Sequence, residues 1–264
     1  MSTTNRTALI TGASAGIGAT YADRLARRGH DLILVARDAA RLTALADRLR
    51  AETGVAVDVL PADLTDRAQL AKVEARIADD TAISMLVNNA GMSLGGTIVT
   101  APIADLERLI ALNVTAPALL AAAAARAFVA RGGGAIVNIA SVLALAPEMF
   151  DSAYSGTKAF MLNLSQGLAA EIGGKGVQVQ AVLPGATRTE IWERSGMSAD
   201  ALPAEILMEV GDLVDAALTG LDRGETVTIP PLADDSGWQA MQQARLALAP
   251  HLSKRDVAPR YRTT

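Results

Sequence analysis

The chain has 264 residues, half of them apolar, with 24 basic and 28 acidic residues and a formal net charge of −4. That length and apolar content suit one large core, so a single domain over residues 1–264 is expected, and the mixed charge excludes a disordered chain and a nucleic-acid binder working through a basic surface. The absence of cysteine excludes disulfides and thiolate chemistry, and His30 and His251, the only histidines, stand too far apart in sequence to suggest a zinc site, so no metal is expected.

Residues Met1 to Gly18 carry one positive charge, Arg6, and turn glycine-rich where a signal peptide needs a continuous apolar segment, so a cytoplasmic protein is expected. The apolar stretch Leu109 to Ala125 is interrupted by Asn113, Thr115 and Pro117. It falls short of the roughly 18 to 20 uninterrupted apolar residues of a bilayer span and reads as a buried helix, with no membrane partner.

Short β-branched or leucine-rich runs alternate with longer alanine-rich segments of helical period, the pattern of repeated βα units on a parallel sheet. Strands are predicted at Ala8 to Thr11, Leu32 to Ala36, Val55 to Leu60, Met85 to Asn88, Ala135 to Ile139, Val177 to Leu183 and Thr226 to Ile229. Helices are predicted at Ile17 to Arg28, Ala39 to Thr53, Arg67 to Ala78, Ile103 to Ala130, Ala153 to Ile172 and Glu209 to Leu221. Together they define an α/β fold, a Rossmann-type doubly wound sheet of about seven parallel strands with helices on both faces.

The first strand runs into Thr11-Gly12-Ala13-Ser14-Ala15-Gly16-Ile17-Gly18 and then a helix. Glycines serve a tight turn for conformational reasons alone, but a helix N-terminus also presents free N–H groups and the positive end of its dipole, which suit a pyrophosphate. The spacing G-x-x-x-G-x-G after Thr11 resembles that of the short-chain dehydrogenase/reductase family, and the motifs that follow keep to it. The resemblance gives Gly12, Ser14, Ala15, Gly16, Ile17 and Gly18 to the cofactor.

Strand two ends Leu34-Val35-Ala36-Arg37. Folds that choose NAD usually place an acidic residue here to accept from the ribose 2′-hydroxyl; Ala36 supplies no acceptor, whereas the Arg37 guanidinium can pair with a 2′-phosphate and stack on adenine. NADP(H) is therefore the expected cofactor, with the Ser14 hydroxyl as a further donor to that phosphate. In Pro61-Ala62-Asp63-Leu64 the resemblance assigns Asp63 to the adenine amino group and the Leu64 amide to the ring, while a helix cap is the other reading of Asp63. Asn88-Asn89-Ala90-Gly91 resembles the family's Asn-Asn-Ala-Gly motif, whose asparagines brace the sheet and whose second member lies against the cofactor; a plain turn is the alternative.

Asn113 lies in the long helix with Pro117 four residues on. Proline has no N–H, so the Asn113 carbonyl loses its intrahelical partner and the helix is expected to kink. By resemblance Asn113 is a catalytic residue whose freed carbonyl holds a water linking Lys158 to solvent; satisfying a neighbouring strand is the other reading.

Ser141 follows strand five, and Tyr154-Ser155-Gly156-Thr157-Lys158 opens the next helix, with Tyr154 and Lys158 on one face as i and i+4. Ketone reduction needs a proton at the alkoxide as hydride arrives; a free tyrosine, with a pKa of about 10, is poorly matched to neutral pH, and a nearby ammonium lowers it. The resemblance makes Tyr154 the general acid in reduction and base in oxidation, lets Lys158 also bond the nicotinamide ribose, and has Ser141 donate to the substrate carbonyl.

Pro184-Gly185-Ala186-Thr187-Arg188-Thr189 resembles the family's Pro-Gly and Thr-x-Thr elements, in which Pro184 and Gly185 shape the turn while Thr187 and Thr189 fix the nicotinamide carboxamide and the diphosphate; a plain loop is the alternative. Residues 188–208 have no clear period and hold Trp192, Met197, Pro203 and Met208 among charges, which predicts a mobile substrate lid. After Pro230 and Pro231 come an amphipathic stretch, Trp238 to Leu248, and a basic tail with Lys254, Arg255, Arg260 and Arg262, so residues 231–264 are expected as a solvated or subunit-packing extension.

The resemblance covers about Thr7 to Ile229. It implies an NADP(H)-dependent carbonyl reductase or alcohol dehydrogenase, assembled as a homotetramer or homodimer, with the alanine-rich Ala121 to Ala125 suited to close helix packing. Met92, Val142, Leu143, Met149, Phe150 and Trp192 are candidate walls for a small hydrophobic carbonyl or alcohol substrate, and each is also a candidate core residue. Two other readings stay open. A 3-oxoacyl thioester reductase needs cations such as Arg126 and Arg131 for a phosphopantetheine arm, and a catalytically silent NADP(H)-sensing protein has no need of Asn113, Ser141, Tyr154 and Lys158 together.

Overall fold

The computed structural model describes residues 6–190, 198 and 201–262. It divides into two compact units, Met1–Pro230 and Pro231–Thr264. In the first, seven strands, β1 (Thr7–Thr11), β2 (Asp31–Ala36), β3 (Val57–Pro61), β4 (Ile83–Asn88), β5 (Gly134–Ile139), β6 (Val177–Val182) and β7 (Val227–Thr228), form one sheet in the order β3-β2-β1-β4-β5-β6-β7. Every pair is parallel. The unbroken apolar runs of β1, β2 and β4 belong to strands covered on both faces.

Among the described residues, the first unit's α-helices are α1 (Gly16–Arg27), α2 (Ala39–Thr53), α3 (Arg67–Asp79), α4 (Ile103–Ile110), α5 (Ala116–Arg131), α6 (Ser152–Ile172) and α7 (Val210–Asp222). On one face of the sheet Tyr21, Leu25, Leu42, Leu49 and Leu213 pack against Ile10, Leu34 and Val137; on the other Leu70, Ile77, Leu120, Phe128 and Ile172 pack against Leu9, Ile33 and Leu86. The strand order reverses between β1 and β4, so the crevice at the carboxyl ends of these strands is where a doubly wound fold takes its ligand.

The predicted elements stand within a few residues of their expected bounds. β3 starts two residues late because Gly54 turns left-handed to close α2, at φ 76°, and the chain needs Val55 and Ala56 to enter the sheet. The long helix is interrupted as Pro117 requires, by a π turn at Ala111–Thr115 in which the Ala116 amide reaches back to the Ala111 carbonyl. From Ile103 to Arg131 this helix is long and apolar enough to cross a bilayer by length and composition. Ala116, Leu120, Ala121, Ala124 and Phe128 are nevertheless fully buried in the core, which accounts for the apolar composition. The second unit consists of α8 (Ser236–Leu248), none of whose residues is buried, and short 3-10 turns at Ala249–His251 and Pro259–Tyr261.

Candidate active site

Thr11 ends β1 by locking it to β4. Its hydroxyl donates to the Val87 carbonyl and accepts from the Asn89 and Ala90 amides, at 3.3, 3.0 and 3.0 Å. The Asn89 side-chain amide donates to the Thr11 and Gly12 carbonyls at 2.9 and 3.2 Å. Gly12 has φ 65°, and a Cβ there would stand 2.8 Å from the Asn89 amide nitrogen; a Cβ on Gly18 would fall into the Gly12 carbonyl oxygen. The turn is thus packed so tightly that only glycine closes it. Ala15, at the N-cap of α1, has no side-chain acceptor for the helix's first amides, which are left to an anion, and Ser14, Gly16 and Ile17 around it are half-buried. This cradle fits a diphosphate.

Arg37, just past β2, is exposed and makes no hydrogen bond or ion pair with the described residues. Asp63 lies near enough to feel its charge. Burial works to raise the Asp63 carboxyl, but the bonds from the Thr65 hydroxyl and amide, at 2.7 and 2.9 Å, and the charges of Arg37 and Arg108 hold it below its ordinary value. The helix-cap role falls instead to Asp66, which accepts from the Gln69 amide at the start of α3. Leu64 is buried.

Asp151 caps α6, accepting from the Ala153 and Tyr154 amides at 2.9 and 3.1 Å, which fixes the turn that carries Tyr154. Ser141, buried beyond β5, accepts from the Leu143 amide at 3.2 Å, and its hydroxyl lies near enough to the Tyr154 phenol to act on its titration. Lys158 reaches under the tyrosine, donating to the Ile139 carbonyl at 2.9 Å with its nitrogen 5.5 Å from the Tyr154 ring centroid.

The electrostatic expectation for this pair is corrected. Within the protein, burial pushes Tyr154 up to about 12, with the Ser141 hydroxyl acting against it, and burial pushes Lys158 down to about 8. Desolvation penalises both charged forms, and here it outweighs the attraction of ammonium for phenolate.

Asn113 is also buried. Its side chain holds Met92 at both backbone groups, accepting from the amide at 2.9 Å and donating to the carbonyl at 2.8 Å, and donates to the Thr157 hydroxyl at 3.2 Å. It thereby ties the chain after Asn-Asn-Ala-Gly to α6. A Cβ on Gly91 would stand 3.3 Å from the Asn113 oxygen and 3.7 Å from the Lys158 nitrogen, so the backbone at Gly91 lies against both. A second buried chain, in which Asn88 braces the sheet as its motif implies, runs from the Asn88 amide to Pro117 and Asn138, and from the Asn138 amide to the Ser165 hydroxyl, at 3.1, 3.0 and 2.9 Å. It joins β4, β5, α5 and α6. Asp151 and Asn138 are the supporting residues that motif spacing alone did not single out.

At the exit of β6 the Pro184 carbonyl accepts from the Val142 amide at 2.9 Å, and the Thr187 hydroxyl donates to the Gly185 carbonyl at 3.0 Å. Thr189 crosses the phosphate turn beside Gly16. Of the candidate substrate walls, Phe150 meets the Tyr154 ring edge-on, with centroids 6.2 Å apart and planes at 83°. Leu143 and Val142 are half-buried and Met149 is exposed, so these are not core residues. Trp192 and Met197 lie outside the described residues. The Arg131 guanidinium is committed to the carbonyls of Ile77, Ala78 and Ile83 beside α3, which takes it away from a carrier's phosphate, and Arg126 is exposed.

Residues 6–199 match the short chain dehydrogenase family, and the chain belongs to it as an oxidoreductase. It is 36% identical over 188 residues to a gluconate 5-dehydrogenase of Gluconobacter oxydans, covering 71% of this chain and 73% of that one. A short-chain dehydrogenase from Sphingobium yanoikuyae, solved in complex with NADPH, is similar at 57% identity and a TM-score of 0.94, over 97% of this chain and all of that one. The bulky-bulky ketone specific alcohol dehydrogenase from Comamonas testosteroni, in its orthorhombic crystal form, is similar at 52% identity and a TM-score of 0.90, over 97% and 98% of the two chains.

Proposed function

We propose that this chain is an NADP(H)-dependent carbonyl reductase or alcohol dehydrogenase, acting on an uncharged ketone or secondary alcohol with bulky groups on both sides of the reacting carbon. The observation that carries the reading is the convergence of Ser141, Tyr154 and Lys158 at the carboxyl end of β5. The cofactor is supported by the glycine cradle, by the exposed guanidinium of Arg37 and by the NADPH bound to the Sphingobium relative. The substrate class is supported by the apolar Phe150 against Tyr154, by Leu143, whose amide donates to Ser141, and by the ketone preference named for the Comamonas relative.

NADPH, when bound, supplies the hydride. The amides at the start of α1 receive its diphosphate, with Thr189; Arg37 and Ser14 take the 2′-phosphate; Asp63 and the Leu64 amide meet the adenine. Asn89, Ala90 and Gly91, with Pro184, Gly185 and Thr187, form the remaining wall. Ser141, whose oxygen already accepts from the Leu143 amide, turns its proton to the substrate carbonyl and polarises it. Tyr154, protonated at neutral pH, gives its proton to the forming alkoxide and retrieves it in the reverse reaction. Lys158 holds the ribose hydroxyls, and the Asn113 carbonyl, which Pro117 cannot engage, holds a water that returns protons to this pair.

A panel of ketones graded in size on each side of the carbonyl, assayed with NADPH, tests the reading with Tyr154→Phe as the blank. Turnover of two-sided bulky ketones above that of methyl ketones is expected. No NADPH-linked reduction across the panel, as a cofactor-sensing protein would give, overturns it.

A further inference from the structure

Residues 187–190 leave β6 and cross the mouth of the phosphate-binding turn. Thr187 pairs with Met208 in an isolated parallel bridge. Two residues on, the Thr189 methyl group stands 3.4 Å from the position of a Cβ on Gly16, at the start of α1. Glu190 comes next, and both of its carboxylate oxygens accept from Arg41 Nη1 at 3.0 Å. Arg41 lies in the first turn of α2, four residues after Arg37, with its Nε 3.6 Å from Asp38. The segment therefore spans from the open amides of α1 to the start of α2, between the two places assigned above to phosphates. Arg37 stands open there, while the next cation on the same turn is held by a carboxylate.

We propose that Glu190 and the 2′-phosphate of NADP(H) compete for Arg41. Arg41 is then a second specificity-determining residue for the phosphorylated dinucleotide. Glu190 is a placeholder that keeps its guanidinium in position and ties the 187–190 strap across the diphosphate site. The inference rests on the NADP(H) reading above. A phosphate carries more charge than a carboxylate and offers three acceptor oxygens to a guanidinium, so it displaces Glu190 when it arrives. The ion pair is open enough to exchange, with side-chain exposures of 52% for Arg41 and 41% for Glu190. A dinucleotide with a 2′-hydroxyl has no such claim on Arg41 and leaves the strap tied.

Fluorescence titration of NADPH and NADH against the wild type, Arg41→Gln, Glu190→Gln and the double variant tests this without turnover, with thermal midpoints to confirm folding. Glu190→Gln is expected to bind NADPH about threefold more tightly and Arg41→Gln about fivefold more weakly. The double variant is expected to match Arg41→Gln, because without the cation Glu190 has nothing to withhold. NADH affinities are expected to move by less than about twofold. If Glu190→Gln gives no gain, if Arg41→Gln gives no loss, or if the two effects add, the competition is overturned while the cofactor reading stands. A wild type with no preference for NADPH over NADH overturns the cofactor reading and this inference with it.

Discussion

The Lys158 ammonium nitrogen, carried on the first turns of α6, donates to the carbonyl of Ile139, the last residue of β5, at 2.9 Å. One residue back along β5, the Asn138 amide donates to the Ser165 hydroxyl, two turns further along the same helix. Two adjacent positions on one strand thus fix where α6 lies, and with it the phenol of Tyr154. The cost of this arrangement is a charged group deep in the protein.

That cost has a pH signature. Burial brings Lys158 from 10.5 down to about 8, so between those values the unfolded chain binds a proton that the native chain has released, and the lysine's contribution to stability grows as pH rises. Tyr154, raised from 10.0 to about 12, acts in the opposite sense and only above pH 10. Urea unfolding of the wild type and Lys158→Met at pH 7.5 and 9.5 is the check. The wild type should gain on the variant by on the order of 1–2 kcal/mol over that interval. Parallel stability curves would show that the amine stays charged in the fold.

Arg37 is proposed to carry the cofactor preference. With Ala36 offering no acceptor to a ribose hydroxyl and Arg37 exposed beside it, kcat/KM should favour NADPH over NADH by roughly tenfold or more, about 1.4 kcal/mol. Arg37→Ala should narrow that ratio chiefly by weakening NADPH. A ratio untouched by the substitution would move the discrimination elsewhere.

Much of the site was legible because its motifs sit at strand ends, where chain direction and side-chain chemistry are set locally. Gly12, Gly16 and Gly18 mark the turn at β1, Asn89 marks β4, and Tyr154 with Lys158 share a helix face by spacing alone. What escaped the sequence depends on contacts over long separations. The Arg41 to Glu190 pair joins residues 149 apart. The bond from Asn113 to Thr157 joins residues 44 apart, and with the two bonds to Met92 it shows the asparagine side chain tying the chain after β4 to α6. The sign of the Tyr154 shift was missed for a different reason: spacing reveals that an ammonium is near, but burial, which outweighs it, exists only once the chain has folded.

The glycine turn separates conformational strain from close packing. Gly12 and Gly54 both have positive φ, 65° and 76°, but a Cβ on Gly12 would meet Asn89 at 2.8 Å whereas one on Gly54 would meet nothing within 4 Å. Gly54→Ala should therefore cost only the backbone term, about 1–2 kcal/mol, and leave NADPH binding intact. Gly12→Ala should cost more and weaken NADPH as well, because Asn89 and the turn must move apart. Urea midpoints and NADPH titrations on both variants decide it, and equal losses in the two would mean that the turn relaxes freely around a methyl group.

Tyr154 and Lys158 should separate chemistry from binding. The phenol lies beside Ser141, and the amine reaches from α6 to the Ile139 carbonyl beside Gly91, where the ribose is proposed to lie. Tyr154→Phe removes the proton donor and keeps the ring against Phe150, so NADPH affinity should change little while single-turnover reduction falls by on the order of 10²-fold or more. Lys158→Met removes the ribose contact and the charge that steadies the phenolate, so affinity and rate should both fall, and the loss of rate should be larger in alcohol oxidation, which needs Tyr154 deprotonated against the burial that holds it near 12. Fluorescence titration and single-turnover hydride transfer in both directions measure the two effects. A Tyr154→Phe variant that reduces ketones near the parent rate would remove Tyr154 from the chemistry, and a Lys158→Met variant impaired only in binding would leave the lysine as a cofactor ligand alone.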